Sequence, residues 1–597
     1  MTVAAGARRA VSATLGFGRR RRFGLVELCS RGLSFGAALA LIGLLPWISV
    51  RDPAMTILRE RYGDRAPTPE VVEAVRAELG LDESPIASLC GWFVGVLRGD
   101  WGTSWAREES VLSLITPALG VSLLLACAAF LVAALVALGV LVPALTQYAK
   151  GASPRGATGV LGLLAALPSF LYAVLLMLVG AVWLGWFPPY GWGTFLAGVL
   201  PALALGVPTG AFFAGLGLHT LSTAAREPWV ATWTLGGISR SRIAGALAQR
   251  SSPTLLPQAG ITLVALVGGS AAVEVVFAVP GLGRLLVTSV RGQDVPVLQG
   301  AVLAVFLVAV AVGAVSRGLG RRAFRRASTS SSASVAVRGV AARGWKSWSV
   351  PAAAGGLLIA VVGVGFPRDP VASAHERLAP PSLALPLGAD ALGRDVLARL
   401  AHGTVETIAI ALGVVFVCLC VGVLTSWLGP FAAGPMDVAV ALRPIVVGAL
   451  LATVLGPSAW GAAVAVAAVM WVPFAQHASS TFAQIRARSY WQLLPFLGVR
   501  PLQLAVRYTV PAAIPGLLQH AFLRLPAVAL ALTSLAFLGL GPQQPSSDWG
   551  LLIAAGLPYA ETAPWVMLSP VAATLLLALV AAYFGLNAPG ARLAGAL

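Results

Sequence analysis

Side chains that could do chemistry are sparse in the long apolar stretches of this chain. His520 and Arg524 lie in one such stretch, beside Gln519, and their spacing of four residues puts them on one face of a helix. Ionisable groups are costly inside a membrane, so this pair predicts either a contact with an anionic or carboxylate-bearing substrate or a polar contact with a neighbouring helix. Glu274 lies near the outer end of another apolar stretch, and it is either a further residue of the translocation pathway or a helix-packing residue.

Motifs that would bind phosphate or metal are absent from the sequence. The phosphate-binding loop of ATPases requires G-K-[ST], and neither of the two lysines, Lys150 and Lys346, follows a glycine. His219 and His477 begin two loops at equivalent places, but two histidines without a third ligand favour helix ends over a metal site. The five cysteines form no C-x-x-C pair. We therefore predict no enzyme, and no metal or cofactor bound by this chain.

The composition places most of the chain in a lipid bilayer. Of 597 residues, 58% are hydrophobic and 11% charged, whereas soluble domains have about 25% charged residues. The run 121–142 carries no charge and can cross a bilayer alone, since a span needs about 20 residues. The net charge of +18 has no soluble domain to carry it, so no nucleic-acid partner is predicted. The expected fold class is an all-α polytopic membrane protein.

Twelve apolar segments divide into two sets of six. Residues 1–32 form a basic tail, 33–316 a first half, 317–348 a basic Ser-rich linker and 349–597 a second half. Six spans return each half to its starting side, so the halves have one orientation, as in a parallel repeat. The predicted spans are near 33–50, 113–143, 158–184, 194–218, 259–279 and 300–316, then 349–366, 404–428, 438–457, 459–477, 513–535 and 566–587.

The distribution of arginine predicts which side each loop faces. Loop A (residues 219–258) and loop B (residues 478–512) together hold eight arginines and one acid, Glu227, so both are predicted to be cytoplasmic. The linker and both termini are assigned to the same side. Loop 51–112 holds eleven acids against seven arginines and is predicted to lie outside. The arginine-rich start favours a retained first span over a cleaved signal peptide.

Loop A and loop B share one pattern. Each has a short helical piece, a glycine that can take positive φ, and a second helical piece that prolines are predicted to stop. An ordinary interfacial helix is the alternative for either loop alone. The residues that carry the pattern are Glu227, Trp229, Gly237, Ile243 and Pro257 in loop A, and Tyr490, Gln492, Gly498, Leu504 and Pro511 in loop B.

With this pattern the sequence resembles type I ATP-binding-cassette importer permeases, whose corresponding loop docks on an ATPase. "RGDWGTS" (98–104) and "EVVFAVPGLGRLL" (274–286) resemble the first permease of the dipeptide, oligopeptide and nickel family. "LPLGADALGRDVLARLAHG" (385–403) and "SLAFLGLGPQQPSSDWG" (534–550) resemble the second. The chain is thus similar to both permeases fused into one polypeptide.

The resemblance implies partners and roles. The permease would carry peptides, nickel, metal chelates or opine-like solutes across the bacterial inner membrane. Two ATPase subunits, or one fused ATPase, would use ATP and Mg, and an extracytoplasmic binding protein would deliver the substrate. Outer-gate or receptor contacts are implied for Pro280, Gly281, Gly283, Asp390, Arg394 and Asp395. Segment 388–400 is also expected to be an outer interfacial helix with an Asp395–Arg399 pair.

Some positions depart from the family pattern, and two other classes remain as alternatives. The name-giving Glu-Ala-Ala of the docking loop is replaced in loop B by Gln492-Leu493-Leu494. An acid usual before "SLAFLGLG" is replaced by Leu532 and Thr533, and Thr533 is a further pathway candidate. An ion-coupled secondary transporter of six plus six helices would want carboxylates inside its spans, which this chain nearly lacks. A lipid-linked transferase would need clustered acids or histidines.

Overall fold

The computed structural model describes residues 26–48, 58, 69–78, 84–152, 157–327 and 349–587. Most of the predicted N-terminal tail, parts of loop 51–112 and residues 328–348 of the linker lie outside these residues. Within them the chain is helical, and extended backbone is limited to isolated bridges such as Thr103 with Ser110. The predicted all-α polytopic class is confirmed.

The first half folds into long apolar helices joined by short polar ones. Val111–Ala149 and Phe195–Ala225 pack through small residues such as Ala129, Ala133 and Ala204, which lets the backbones approach closely. The helices are Val26–Gly43, Leu45–Ile48, Pro69–Glu78, Pro85–Arg98, Val111–Ala149, Ala157–Ala166, Ser169–Leu176, a π-helix Met177–Trp183, Phe195–Ala225, Pro228–Leu235, Arg240–Gly269, Ala271–Val276, Leu282–Arg291 and Val295–Ala327.

The second half repeats this order from its second span onward. The helices are Ser349–Gly365, Val396–Ser426, the 3₁₀ turn Gly429–Ala432, Ala433–Ala441, Pro444–Leu455, Ala459–Arg486, Ser489–Leu493, the 3₁₀ turn Leu494–Leu497, Pro501–Gln503, a π-helix Leu504–Thr509, Val510–Phe537, Trp549–Gly556, the 3₁₀ turn Leu557–Tyr559 and Pro564–Asn587.

Apolar helices of membrane-spanning length coincide with the predicted spans. Among the described residues eight helices are long and apolar enough to cross a bilayer. Two bent helix pairs, one in each half, are apolar enough to count as two further candidates: Val160–Ala166 with Ser169–Trp183, at 96°, and Gly429–Ala441 with Pro444–Leu455, at 85°. Ser349–Gly365 and Pro564–Asn587 occupy the two remaining predicted segments. A break at the third span is thus part of the repeat.

The two halves pack against each other over a continuous apolar core. Phe170 of the first half stacks on Phe537 of the second, with ring centroids 5.3 Å apart. At the periphery Arg31 of the first helix pairs with Asp437, with 2.8 Å between nitrogen and oxygen. The first helix therefore contacts the second half, and the two halves share one packed core.

Three expectations about local structure are corrected. The prolines do not stop the loop helices: Arg240–Gly269 runs through Pro257, and the helix after Gly498 runs through Pro511 into the next span. Segment 388–395 is an irregular turn, and the helix begins only at Val396. Helix Val295–Ala327 also continues into the first part of the predicted linker.

A proline inside a helix leaves the carbonyl four residues earlier without its usual N–H donor, and its ring also crowds that carbonyl. Pro253 has no N–H for the carbonyl of Gln249, four residues earlier, but the hydroxyl of Ser252 donates to that oxygen at 2.9 Å. Before Pro511 the helix widens into a π-turn, and the hydroxyl of Thr509 donates to Leu504 O at 3.0 Å. A local donor thus replaces the bond lost at Pro253, and a change to π-helical geometry precedes Pro511.

Candidate functional site

Loop A is braced by its own polar contacts. Glu227 precedes the helix Pro228–Leu235 and accepts two hydrogen bonds, from Trp229 Nε1 at 2.8 Å and from Arg250 Nε at 3.1 Å. The Trp229 ring meets Trp233 edge to face, with centroids 5.0 Å apart. The loop helix is therefore tied at its first turn to the helix that follows it.

A small apolar cluster holds loop A against the ends of its spans. Val230 and Ile243 of the loop are buried together with Leu247, and they pack on Leu221 and Ala224 of the preceding span. Of the large apolar side chains of helix Pro228–Leu235, only Leu235 is exposed. Apart from Leu235, the large apolar side chains of this helix therefore pack against other residues of the chain.

Loop B has the same plan, and its Trp491 packs on a small apolar cluster that includes Phe482 and Ile485. Helix Ser489–Leu493 tightens into a 3₁₀ turn and ends at Gly498. Trp491 Nε1 donates to Thr509 Oγ1 at 3.0 Å, and Leu504 is buried. Both joints have the predicted positive φ, 71° at Gly237 and 80° at Gly498. Each glycine therefore turns the chain between two helical pieces.

The surface of loop B is an uncovered apolar patch. None of the described side chains from 489 to 497 is buried, and Gln492 is exposed among them. On soluble proteins exposed apolar patches mark interaction sites, and in a membrane protein an exposed apolar side chain can also face lipid. We call this surface the loop-B patch; its members are Tyr490, Leu493, Phe496, Leu497, Leu502, Val506 and Tyr508.

Glu274 lies in the packed interior of the first half rather than on an open path. Its side chain is 0% exposed and accepts hydrogen bonds from Ser122 Oγ at 2.7 Å, Ser270 Oγ at 2.6 Å and Arg284 N at 3.0 Å. These donors satisfy the carboxylate and join three helices around it. A structural role follows directly from this geometry.

The polar side chains predicted to share one face of the span 513–535 lie in different environments. His520 stacks on His477, with ring centroids 4.2 Å apart and planes 7° apart, and its Nε2 is buried without a hydrogen-bond partner. Stacked rings cannot direct both nitrogens at one ion, so the pair has no metal-site geometry. Arg524 is exposed, whereas Thr533 is buried and donates to Ala529 O at 2.9 Å. Arg524 thus reaches the surface of the protein and Thr533 does not.

The candidates for outer contacts are mostly buried. In the turn after Glu274, Pro280 is exposed, but Gly281 and Gly283 are packed against that half's own backbone and side chains. Asp390, Arg394 and Asp395 are buried as well. Only Pro280 of these six residues offers its side chain to another molecule.

A buried ion network replaces the predicted Asp395–Arg399 pair. Asp390 Oδ2 accepts from Arg394 Nε at 2.8 Å and from Arg399 Nη1 at 2.7 Å, while Asp395 pairs with Arg368 at 2.9 Å. Asp395 is the N-cap of helix Val396–Ser426 and accepts from the N–H of Leu397, so its carboxylate faces away from Arg399. Spacing on an ideal helix could not show this.

The network also clamps a distant segment. The guanidinium groups of Arg394 and Arg399 both donate to Gln544 Oε1, and Arg399 Nη2 donates to Ser546 O at 2.9 Å. Burial opposes ionisation of Asp390, but backbone N–H groups and the two guanidiniums outweigh it and hold its pKa below the usual value. The two family-like strings of the second half are therefore one structural unit.

A buried aspartate next to this clamp behaves in the opposite way. Asp548 caps helix Trp549–Gly556 through the N–H of Gly550, at 2.7 Å. Burial and the nearby carboxylate of Glu406 raise the pKa of Asp548 to about 6. Neither residue was singled out in the sequence; an Asp directly before the apolar run 549–556 was the available signal.

Arg443 is a second residue that sequence reasoning missed. It lies at the break of the bent pair Gly429–Ala441 and Pro444–Leu455, and it donates through Nη2 to the carbonyl of Ala265 in the other half. An arginine directly before a proline inside a predicted span was its signal.

Comparison with known proteins agrees with the repeat. The family model described as the binding-protein-dependent transport system inner membrane component matches twice, at residues 87–329 and 405–587. A putative peptide transport system permease of Brucella abortus is 31% identical over 284 residues, covering 46% of this chain and 86% of that protein.

Two further relatives give the same picture. The oligopeptide transport system permease of Haemophilus influenzae is 32% identical over 240 residues, covering 39% of this chain and 76% of that protein. The di/tripeptide transport system permease of Pseudomonas aeruginosa is 32% identical over 203 residues, covering 33% and 67%. Each relative matches less than half of this chain, as expected when two permease-length units are joined.

Proposed function

The chain belongs to the family of inner membrane components of binding-protein-dependent transport systems and holds two copies of that component; from this we propose that it imports peptides or related small solutes with energy from separate ATPase subunits. Relatives named as peptide permeases support the substrate class. The absence of G-K-[ST] from the sequence supports an ATPase on other chains. The chain itself would then stabilise alternative conformations of one pathway rather than catalyse a reaction.

The observation that carries the coupling role is the pair of glycine-jointed loops at matching places in the two halves. Loop B offers an apolar patch that would be covered by an ATPase subunit, and loop A offers a stiff helix tied by Glu227. Their eight arginines favour a cytoplasmic position, with both termini on that side. A binding protein would meet the opposite side, where Pro280 is exposed.

Reconstitution in proteoliposomes tests the proposal. The chain is combined with its ATPase and binding protein, and uptake of a labelled tripeptide is measured with the ATPase intact or with its phosphate-loop lysine replaced by alanine. We expect ATP-dependent uptake only with the intact ATPase. Uptake that persists in the lysine variant and collapses with a proton ionophore would contradict the proposal and favour an ion-coupled transporter.

A further inference from the structure

We propose that Arg443 is the group in the translocation pathway that binds the carboxylate of the solute; this rests on the peptide or carboxylate-bearing substrate class proposed above. Arg443 stands at the 85° break of the second half's third span. A charged side chain within a membrane span is costly, and such residues usually mark a solute pathway. Its position, partners and electrostatic surroundings all bear on this role.

Arg443 lies between the two halves of the molecule. It stands at the break between the helices 429–441 and 444–455 of its bent pair. Its partner, Ala265, lies near the middle of the candidate span Gln258–Val276 of the other half. The guanidinium therefore lies between the two halves, and transport proteins built from repeats place their solute sites at the interface of the repeats.

The partners of Arg443 leave its charge uncompensated. Nη2 donates to the carbonyl of Ala265, and the side chain lies along Gly268 and Gly269, where a Cβ at residue 268 would come within 2.8 Å of Arg443 Cγ. Among the ion pairs of the described residues none includes Arg443. A guanidinium has five N–H donors, so one carbonyl leaves most of its capacity unused.

Two helix ends meet near the Arg443 guanidinium. One attracts the guanidinium itself, and the other attracts an anion bound beside it. Helix Arg240–Gly269 ends beside Arg443, and its C-terminal carbonyls attract a cation. Helix Pro444–Leu455 begins directly after Arg443 with no side-chain cap, and its N-terminus favours an anion. A carboxylate at Arg443 would thus be held by both guanidinium and helix end.

An arriving carboxylate would replace the carbonyl for a physical reason. Hydrogen bonds between two charged groups are about twice as strong as those with a neutral acceptor, and a guanidinium can hold a carboxylate through two of them. Binding would then release Arg443 from Ala265 and loosen one contact between the halves. The matching break of the first half reads Leu167-Pro168 and has no charge, so the site is single.

The test compares uptake of two tripeptides that differ only at the C-terminus, one a free acid and one an amide. The complete complex is used in proteoliposomes with the same binding protein throughout, so that protein's own preference cancels between variants. We expect Arg443→Gln to lower the acid-to-amide uptake ratio about tenfold relative to wild type, as for a lost hydrogen bond to a charged group.

Arg291→Gln is the matched control. Arg291 also donates to a carbonyl across the halves, Leu538 O at 3.2 Å, but from helix Leu282–Arg291 outside the candidate spans. We expect its acid-to-amide ratio to equal that of wild type. An equal fall in uptake of both peptides by Arg443→Gln would overturn the proposal and leave Arg443 as a structural contact.

Gly268→Ala gives a second arm that does not remove the charge. The added methyl crowds Arg443 away from helix Arg240–Gly269, so we expect the acid-to-amide ratio to be retained or raised. A tenfold fall in this variant would mean that the inter-helix contact decides the ratio, and would contradict the proposal. A wild-type complex that imports neither peptide would instead refute the proposed substrate class, independently of any variant.

Discussion

Loop A and loop B follow the same plan, a short helix and a positive-φ glycine followed by a long helix, yet they treat their apolar side chains differently. Loop A buries Val230 and Ile243 in its own cluster. Loop B leaves Phe496 88% exposed together with its apolar neighbours. A repeated motif therefore need not be a repeated surface: the first helix of loop A has a buried apolar residue, and the apolar residues of the equivalent segment of loop B stay exposed or half-buried.

The difference has a local cause in the sequence. The first helix of loop A has eight residues, so a full turn can place Trp229, Val230 and Trp233 toward its own spans. The equivalent helix of loop B changes after Leu493 into a 3₁₀ turn that contains Pro495. A proline lacks the N–H that an α-helix would need, so this piece stays short and cannot present one continuous face inward.

The largest effect is expected from a charge placed in the loop-B patch. Phe496→Asp should weaken ATPase binding by at least about tenfold, since truncating an anchor residue of an interface typically costs about 2 kcal/mol or more. The matched change in loop A is Leu235→Asp, at a residue that is 90% exposed. For this variant we expect ATPase binding to weaken by less than about threefold.

Binding of the ATPase to the chain in nanodiscs measures both affinities, and a thermal melt of each variant checks that it folds. The comparison between the loops fails if Leu235→Asp and Phe496→Asp weaken binding equally. The contrast between the loops is reversed if Leu235→Asp binds the ATPase more weakly than Phe496→Asp does.

A smaller effect is expected at the joint of loop B. Gly498 has φ 80° and no neighbour within 4 Å of a built Cβ, so Gly498→Val meets only backbone strain, about 1–2 kcal/mol. This should shift the loop-B helix and reduce ATP-dependent uptake severalfold while the chain stays in the membrane. The ratio of uptake to ATP hydrolysis measures the coupling.

Gly498→Asn is the control, because asparagine tolerates positive φ, and it should keep most of the uptake. Normal coupling in Gly498→Val would mean that the joint does not transmit movement. Gly237→Val imposes the same strain on loop A, where the internal cluster should keep the helix in place and the loss should be smaller.

The plan of both loops could be predicted from sequence, and their surfaces could not. Gly237 and Gly498 encode a backbone conformation that few other residues adopt, so local sequence suffices for the joints. Exposure of Phe496 and burial of Val230 depend on which spans lie beneath them, which no local pattern records. The same limit explains why the partner of Arg399 was not predicted. Asp395 caps the helix, and Arg399 pairs instead with Asp390, which lies nine residues earlier in an irregular turn.

Prolines misled for a related reason. Pro257 and Pro511 are predicted to be stops because each removes one hydrogen bond, but both helices continue through them; a hydroxyl donor at Pro253 and the π-turn before Pro511 show two local adjustments near such prolines. Arg443 was not predicted as a site residue because a single charge leaves an apolar run apolar enough to be identified as a membrane span. Its meaning comes from the helix end of the other half, which only the fold brings to it.

The smallest effect is expected inside loop A. Glu227→Gln keeps a carbonyl for Trp229 Nε1 but loses the ion pair with Arg250, whose side chain is 34% exposed. Water weakens such pairs, so the cost should be below about 1 kcal/mol. Hydrogen exchange of residues 228–235 should rise about two- to fivefold while ATPase binding stays near wild type. Trp491→Phe, which removes the bond to Thr509, is the loop-B counterpart and should lower ATPase binding as well, because this bond ties the first loop helix to the helix that follows it. Unchanged binding in Trp491→Phe would show that packing of residue 491 on the cluster of Phe482 and Ile485 suffices to hold the loop-B patch, and the contrast between the two loops would then concern exposure and not bracing.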